Sequence, residues 1–173
     1  MTFRGLKIKW TLFKVNTLYA GTKEKNFEKK RKLLNAIGYS IGEGSKIVGP
    51  VFCSGKLIVG NNTWIGRNLV IHGNGTVKIG DNCDLAPDVV FLTGGHEIGS
   101  AERRAGEGYI KDIEVGNGCW LGARSTVLGG VQIEDGSVVA ACACVVKTVS
   151  ANTLVGGVPA KEIRKLSDDE KIF

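Results

Sequence analysis

The chain has 173 residues, 43% of them hydrophobic, which suits one domain with its own core and excludes a wholly disordered protein. Glycine is abundant, with 25 residues against 3 prolines, and this favours many tight turns between short strands. The net charge of +6 is uneven. Residues 1–40 hold ten Lys or Arg and two Asp or Glu (net +8), and the remainder is net −2.

The basic segment, residues 1–40, is predicted to be an N-terminal cap with helical structure. Phe27, Leu33 and Leu34 fall within a predicted helix over 24–35. Residues 3–15 mix aromatic, aliphatic and cationic side chains. Two roles fit this mixture: a cap or subunit contact, and a peripheral contact with an anionic membrane surface. We expect no nucleic-acid binding, because the charge is local and no known motif accompanies it.

No apolar run is long enough to span a membrane, and lysines interrupt the hydrophobic N-terminus. Such a segment lacks the continuous apolar stretch of a signal peptide. We therefore expect a cytoplasmic protein with free thiols. The five cysteines include no C-x-x-C pair, and no histidine lies near their one cluster, Cys142-Ala-Cys144, in sequence, so no metal site is expected.

A six-residue repeat organises the rest of the chain. Starting at Val115, every sixth residue up to 145 is aliphatic, and the fourth residue after each is small or β-branched. Similar hexads begin at Ile41, Val59 and Ile79. Six residues per side and three sides per coil predict a prism of short parallel strands, a parallel β-helix. The period excludes an amphipathic helix.

These hexads predict an all-β-dominated fold with about five 18-residue coils over residues 41–158. Residues 97–114 interrupt the repeat, and hexad positions there would place Glu97, Arg103 and Tyr109 inside the prism. We therefore predict an inserted long loop. Residues 159–173, with Ile163, Leu166 and Ile172, are predicted to form a C-terminal helical tail that caps the other end.

The chain carries two histidines, the near-neutral bases that acyl transfer to a hydroxyl requires. His96 follows two glycines at the mouth of the insert, and His72 lies in a turn-like segment with Asn74. A local hydrogen-bonding or turn-forming role is the alternative for both histidines. From the residues alone, these interpretations stay open.

Four motifs make the chain similar to a known family: Thr93-Gly-Gly-His96, Glu102-Arg-Arg-Ala-Gly106, Gly118-Cys-Trp-Leu-Gly122, and the segment from Gly156 to Arg164. Together with the repeat, they resemble the left-handed β-helix acyltransferases with hexapeptide repeats. The resemblance covers residues 41–165. It is strongest to the sugar and polysaccharide O-acetyltransferases related to maltose and galactoside acetyltransferases, and it implies a left-handed coil.

The resemblance implies an acetyl-CoA-dependent O-acetyltransferase that needs no metal and assembles as a homotrimer with sites between subunits. It makes His96 the general base toward a hydroxyl of a sugar or a lipid-linked polysaccharide. It assigns coenzyme contacts to Trp120, Ala123, Ala141, Lys147, Lys161 and Arg164. Candidates for acceptor binding are His72, Asn68 and Asn74, in a stretch that departs from the family pattern. Cys142 and Cys144 also depart from it.

Other functions compatible with this repeat are an acetyltransferase acting on serine, an antibiotic or an amino sugar, and a non-catalytic scaffold or binding protein. A serine acetyltransferase usually carries a larger N-terminal domain than 40 residues supply. A γ-type carbonic anhydrase uses three histidines around zinc, and this chain has two. A scaffold would leave His96, the insert and Trp120 without a joint role.

Overall fold

The computed structural model describes residues 3–167. Its helices are α1 (Phe3–Phe13), a π-helical turn (Lys14–Leu18) and α2 (Glu24–Asn35). Its strands are β1 (Ser40–Ile41), β2 (Lys46–Ile47), β3 (Val51–Cys53), β4 (Lys56–Val59), β5 (Trp64–Ile65), β6 (Leu69–His72), β7 (Thr76–Ile79), β8 (Asp84–Leu85), β9 (Val90–Leu92), β10 (Gly94–Ile98), β11 (Ala105–Ile110), β12 (Ile113–Val115), β13 (Trp120–Leu121), β14 (Thr126–Leu128), β15 (Gln132–Ile133), β16 (Val138–Val139), β17 (Cys144–Val145), β18 (Thr153–Gly156) and β19 (Lys161–Lys165).

Three parallel sheets form the sides of a prism, as the hexapeptide period predicts. Sheet A has the order β1-β4-β7-β12-β15, and sheet C has the order β3-β6-β9-β14-β17. Sheet B has the order β2-β5-β8-β13-β16-β18-β19, in which only the last pair is antiparallel. The chain visits A, B and C in turn, which defines an A–B, a B–C and a C–A corner along the prism.

The core is a stack of aliphatic side chains, one from each side of each coil. All fourteen predicted inward positions are buried: Ile41, Ile47, Val59, Ile65, Ile71, Ile79, Leu85, Phe91, Val115, Leu121, Val127, Ile133, Val139 and Val145. The small residues at the fourth positions, such as Cys119 and Ser137, are buried too. This stacked core confirms the predicted register from residue 41 to residue 145.

Helix α2 closes the first coil, and its bounds match the predicted helix. Its buried face consists of Phe27, Lys30 and Leu34. The Lys30 ammonium donates to the carbonyl oxygens of Gly21 (2.9 Å) and Val48 (3.0 Å). Lys30 is fully buried, and desolvation lowers its pKa to about 8. Two accepting carbonyls offset part of the cost of burying this amine.

The C-terminal end differs from the predicted helix. Residues 161–165 form strand β19, antiparallel to β18. Gly157 has a positive φ of 95°, which allows the chain to reverse beside Pro159. The returning strand pairs with the open edge of sheet B, which satisfies backbone groups that a helix packed there would leave unpaired. Ile172 lies outside the described residues.

The insert is also more ordered than the predicted loop, because β10 and β11 form an antiparallel hairpin. The hairpin leaves the prism after β9 of sheet C and returns to sheet A at β12. Lys78 pairs with Glu114 across β7 and β12, so the parallel ladder continues as if the hairpin were absent. The hairpin is therefore an outward projection from the C–A corner. Among residues 3–167, no helix has the length and apolarity needed to cross a membrane.

Candidate active site

The base of the hairpin is fixed by one buried threonine. The Thr93 hydroxyl donates to the His72 carbonyl oxygen at 3.0 Å and accepts the Gly75 N–H at 3.1 Å. Thr93 is fully buried. Its backbone N–H donates to the same His72 carbonyl oxygen, at 2.9 Å. These bonds tie the start of the hairpin to the turn of the coil before it.

The position of His96 is set by the pairing of β10 with β11. A Cβ added at Gly95 would lie 2.5 Å from the Tyr109 ring, so glycine lets that ring pack across the hairpin beside His96. His96 Nδ1 lies 2.9 Å from the Gly106 carbonyl oxygen. A carbonyl can only accept, so Nδ1 carries the proton and Nε2 of the neutral ring presents a lone pair. The His96 side chain is exposed, and Nε2 is free to accept a proton.

The structure brings His72 and Asn74, but not Asn68, to the base of this hairpin. A Cβ added at Gly73, between His72 and Asn74, would lie 2.5 Å from the Gly94 nitrogen. Both polar side chains are exposed there. Asn68 instead lies at the B–C corner with a φ of 57°. Its amide donates to Asp88 Oδ1 at 2.9 Å, as expected of a turn residue.

A groove of about 490 Å³ runs from His72 toward the N-terminal helix. Sheet C forms one wall with Phe52 and Val70, and α1 forms the other with Lys9 and Phe13. The groove is mostly apolar, with His72 at one end. It reaches the C–A corner, where the His96 hairpin also begins.

The predicted coenzyme residues Ala123 and Ala141 stack in successive coils at the B–C corner. The Ala123 carbonyl oxygen accepts the Cys142 N–H at 2.9 Å. The N–H groups of Ala123 and Ala141 donate no hydrogen bond within residues 3–167. At the equivalent position of an earlier coil, Pro87 has no N–H at all. This edge therefore offers two unused backbone donors, the kind of group that stabilises an oxyanion.

Lys147 and Lys161 line one groove of about 370 Å³ at the C-terminal end of the prism. Lys147 follows β17, and Lys161 opens β19 after Pro159 and Ala160 complete the groove wall. Arg164 lies opposite Leu154 on β18 and does not line the groove. Two exposed lysines around one cavity suit the phosphates of a nucleotide.

Trp120 belongs to a row of outward-facing side chains on sheet B. The row includes Asp84, which the sequence pattern did not single out. Parallel pairing sets Trp64, Asp84 and Trp120 side by side on β5, β8 and β13. Trp64 also packs edge-on against Phe27 of α2, with ring centroids 5.6 Å apart, so it contacts the cap. Desolvation raises the pKa of Asp84 above its usual value. Its carboxylate has no hydrogen-bond or ion-pair partner among residues 3–167.

No single corner holds all the predicted site residues. His96, His72 and Asn74 lie at the C–A corner, whereas Ala123 and Ala141 lie at the B–C corner. Trp120 projects from sheet B between these edges. One chain therefore presents the candidate base His96 on one edge and the backbone N–H donors of Ala123 and Ala141 on another.

The repeat and the described geometry agree with comparisons to known proteins. Residues 112–147 match the family model described as bacterial transferase hexapeptide (six repeats). Residues 56–90 match the model described as hexapeptide repeat of succinyl-transferase. The galactoside O-acetyltransferase of Escherichia coli (strain K12) is 34% identical over 148 residues, which cover 84% of this chain and 73% of that protein.

Two solved structures share the whole architecture. A galactoside acetyltransferase in complex with coenzyme A has a TM-score of 0.81 and 29% identity, covering 98% of this chain and 85% of that one. A hexapeptide-repeat acetyltransferase from Vibrio cholerae, complexed with acetyl coenzyme A, has a TM-score of 0.80 and 27% identity, covering 95% and 88%.

The fold is thus the left-handed parallel β-helix of acyltransferases, and the protein is an enzyme of this class. More narrowly, the chain belongs to the hexapeptide-repeat acyltransferase family, in its sugar O-acetyltransferase branch.

Proposed function

We propose that the protein transfers the acetyl group of acetyl-CoA to a hydroxyl of a sugar or polysaccharide, with His96 as general base. The observation that carries this proposal is the bond from His96 Nδ1 to the Gly106 carbonyl. It fixes the tautomer in which exposed Nε2 can accept a proton. The coenzyme-bound relatives support acetyl-CoA as the co-substrate.

The reaction follows from these groups. His96 Nε2 removes the proton from the acceptor hydroxyl as its oxygen attacks the thioester carbonyl carbon. Negative charge develops on the former carbonyl oxygen, where the Ala123 N–H donates a hydrogen bond. The carbon–sulfur bond then breaks, the ester forms, and the His96 imidazolium returns the proton to the departing thiolate. No covalent acyl-enzyme is formed.

The co-substrate would occupy the groove at the C-terminal end of the prism, which Glu162 lines together with two lysines. Lys147 and Lys161 line this groove and would face the phosphates of coenzyme A. Trp120, with 38% of its surface exposed, would form part of the wall along which the thioester lies. Arg164 would contribute charge from β19.

We further propose that the active site forms between subunits of a homotrimer. Support comes from the separation of the C–A corner, with His96, from the B–C corner, with Ala123. In an assembly around a threefold axis, one chain's hairpin would face its neighbour's B–C edge. The test is to mix His96→Ala with Ala123→Pro, which removes the B–C backbone donor as Pro87 does at the equivalent position, because a site shared between subunits restores activity only in mixed trimers.

The acceptor would lie at the C–A corner, in reach of His96. His72 and Asn74 supply exposed hydrogen-bonding groups for sugar hydroxyls, and Asn68 is better explained as a turn residue. In a trimer, the neighbour's sheet B would add Asp84 beside Trp120. An aromatic ring that stacks on a sugar face and a carboxylate that accepts hydrogen bonds from hydroxyl groups suit a carbohydrate.

The experiment is thiol release from acetyl-CoA across a panel of sugars, oligosaccharides, lipid-linked sugars and amines, with mass analysis of the products. We expect release with at least one hydroxyl acceptor and its loss in His96→Ala. Release only with amines would assign the enzyme to N-acetylation and overturn the proposed acceptor class. Failure to bind acetyl-CoA would overturn the proposal as a whole.

A further inference from the structure

Helix α1 has two apolar faces, and only one of them packs on the protein. Thr11 is buried and Leu12 packs against the core, which defines the inner side of α1. Leu6, Trp10 and Phe13 lie on the opposite side, at the i, i+4, i+7 spacing. These three side chains are 53%, 54% and 46% exposed. A cap needs only the first face, so the second is unexplained by the fold.

Lysines border this outer face on both sides. Lys9 lies on one flank and Lys7 on the other, as the α-helical spacing requires. Lys14, the first residue of the π-helical turn, lies beside Trp10. None of the three forms an ion pair with a residue in 3–167. The Lys14 ammonium lies 5.2 Å from the centre of the Trp10 ring, and the Trp10 and Phe13 rings stack at 5.4 Å. The face is therefore an apolar stripe between rows of unpaired cations.

The exposed apolar surface continues beyond α1. Leu18, after the helix, and Phe52, on β3, are also more than half exposed. Phe52 and Phe13 line the same groove, which ends at His72. The outer face of α1 thus lies beside the mouth of the groove that we assign to the acceptor.

We propose that α1 docks its Leu6–Trp10–Phe13 face flat on an anionic lipid bilayer. Leucine and aromatic side chains enter the boundary between headgroups and acyl chains, and the flanking lysines bind lipid phosphates. This orientation places the groove near His72 at the lipid surface. The acceptor would then be a sugar carried on a membrane lipid, and this last point rests on the proposed function.

Charge favours a bilayer over a second copy of the chain as the occupant. In a twofold contact between two α1 helices, the rows of lysines would face one another without acidic partners. Residues 1–40 carry a net charge of +8, so the repulsion would extend to α2 as well. An anionic surface satisfies both the apolar stripe and its cationic borders.

The test is co-sedimentation of the full chain with vesicles of equal parts phosphatidylcholine and phosphatidylglycerol, against pure phosphatidylcholine vesicles. We expect binding to the anionic vesicles that weakens with added salt. The double variant Lys7→Gln, Lys9→Gln should lower the partition coefficient roughly 25-fold, at about fivefold per lysine. Arg67→Gln with Arg124→Gln, which removes equal charge at the B–C corner, should leave it nearly unchanged. The double variant Leu6→Ala, Trp10→Ala should lower the partition coefficient by roughly tenfold or more, because it removes apolar surface that enters the bilayer.

Two results would overturn the docking proposal. One is absence of wild-type binding to the anionic vesicles, and the other is equal loss in both pairs of charge variants. A shift in oligomeric state on removing Leu6 and Trp10, without vesicle binding, would assign the face to a second copy. Vesicle binding is measured without acetyl transfer, so its outcome is independent of the proposed reaction. Preference for soluble over lipid-linked acceptors would reject the substrate class alone.

Discussion

The Thr93 hydroxyl provides a quantitative test of how the hairpin is anchored. Thr93→Val keeps the side-chain shape and removes two hydrogen bonds, from the hydroxyl to the His72 carbonyl and from the Gly75 N–H to the hydroxyl. The His72 carbonyl keeps the backbone N–H of residue 93, at 2.9 Å. The Gly75 N–H is left without an acceptor inside the protein. One orphaned buried donor costs about 1–3 kcal/mol, and we expect this loss in the free energy of unfolding.

Ser125→Ala is the matched control. Ser125 is also fully buried, but its hydroxyl has no hydrogen-bond partner in the described chain. Deleting it removes a buried polar group without breaking a bond, so stability should stay within about 0.5 kcal/mol or rise. Urea denaturation of both variants gives the comparison. Equal destabilisation by the two variants would refute the reasoning, because burial alone would then set the cost.

Three further predictions address the buried lysine and the hairpin. The pKa of Lys30 in the folded state, about 8, lies below its ordinary value of 10.5, so the unfolded chain binds more protons between these pH values. In chemical denaturation, the free energy of unfolding of the wild type, measured relative to that of Lys30→Met, should therefore rise from pH 8 to pH 10.5. The same pH dependence of stability in both proteins would contradict the lowered pKa. A Cβ at Gly106 would lie 2.9 Å from the Glu97 carbonyl oxygen, so Gly106→Ala should displace the carbonyl that orients His96 and lower kcat by roughly tenfold with little change in KM. Gly94→Ala lies in the same hairpin, and its Cβ would meet nothing closer than 3.6 Å and no atom of His96. It should keep wild-type kcat in the same steady-state assay, and equal losses would show that the His96 contact is not the cause.

The prism could be predicted from sequence because each coil repeats one simple requirement. Each side of each coil needs one inward aliphatic residue, so such residues recur every six positions, as Val115 and Leu121 do. The predicted helix over 24–35 followed from the apolar spacing of Phe27 and Leu34. Both signals are local in sequence and repeat with a fixed period.

The hairpin and the last strand could not be predicted in the same way. Strands β10 and β11 are largely exposed on both faces, so they lack the alternation that marks a half-buried strand. Residues 161–165 form strand β19 because they pair with the open edge of β18, and their own composition does not indicate a strand. Asp84 occupies the sixth position of its hexad, as Trp64 and Trp120 do, and parallel pairing sets the three side by side. It was missed because one carboxylate at an outward position has the sequence pattern of an ordinary surface charge.

The described chain brings the predicted site residues together only in separate groups, for a related reason. His72 and Asn74 lie beside Gly94, where the hairpin that carries His96 begins, because adjacent coils stack at one corner. Lys147 and Lys161 share a groove because β19 folds back. Contacts between different chains leave no periodic signal in the sequence. The assembly of these groups of residues into one site within a trimer therefore stays a prediction.

The central claim is that His96 is the base for acetyl transfer to a hydroxyl. The most direct measurement compares His96→Ala with His72→Ala, which removes the other imidazole, for hydroxyl-dependent turnover and for acetyl-CoA binding by calorimetry. We predict that His96→Ala lowers kcat by about 100- to 10,000-fold while acetyl-CoA still binds, and that His72→Ala mainly raises KM for the acceptor. Near-normal kcat in His96→Ala would contradict the account.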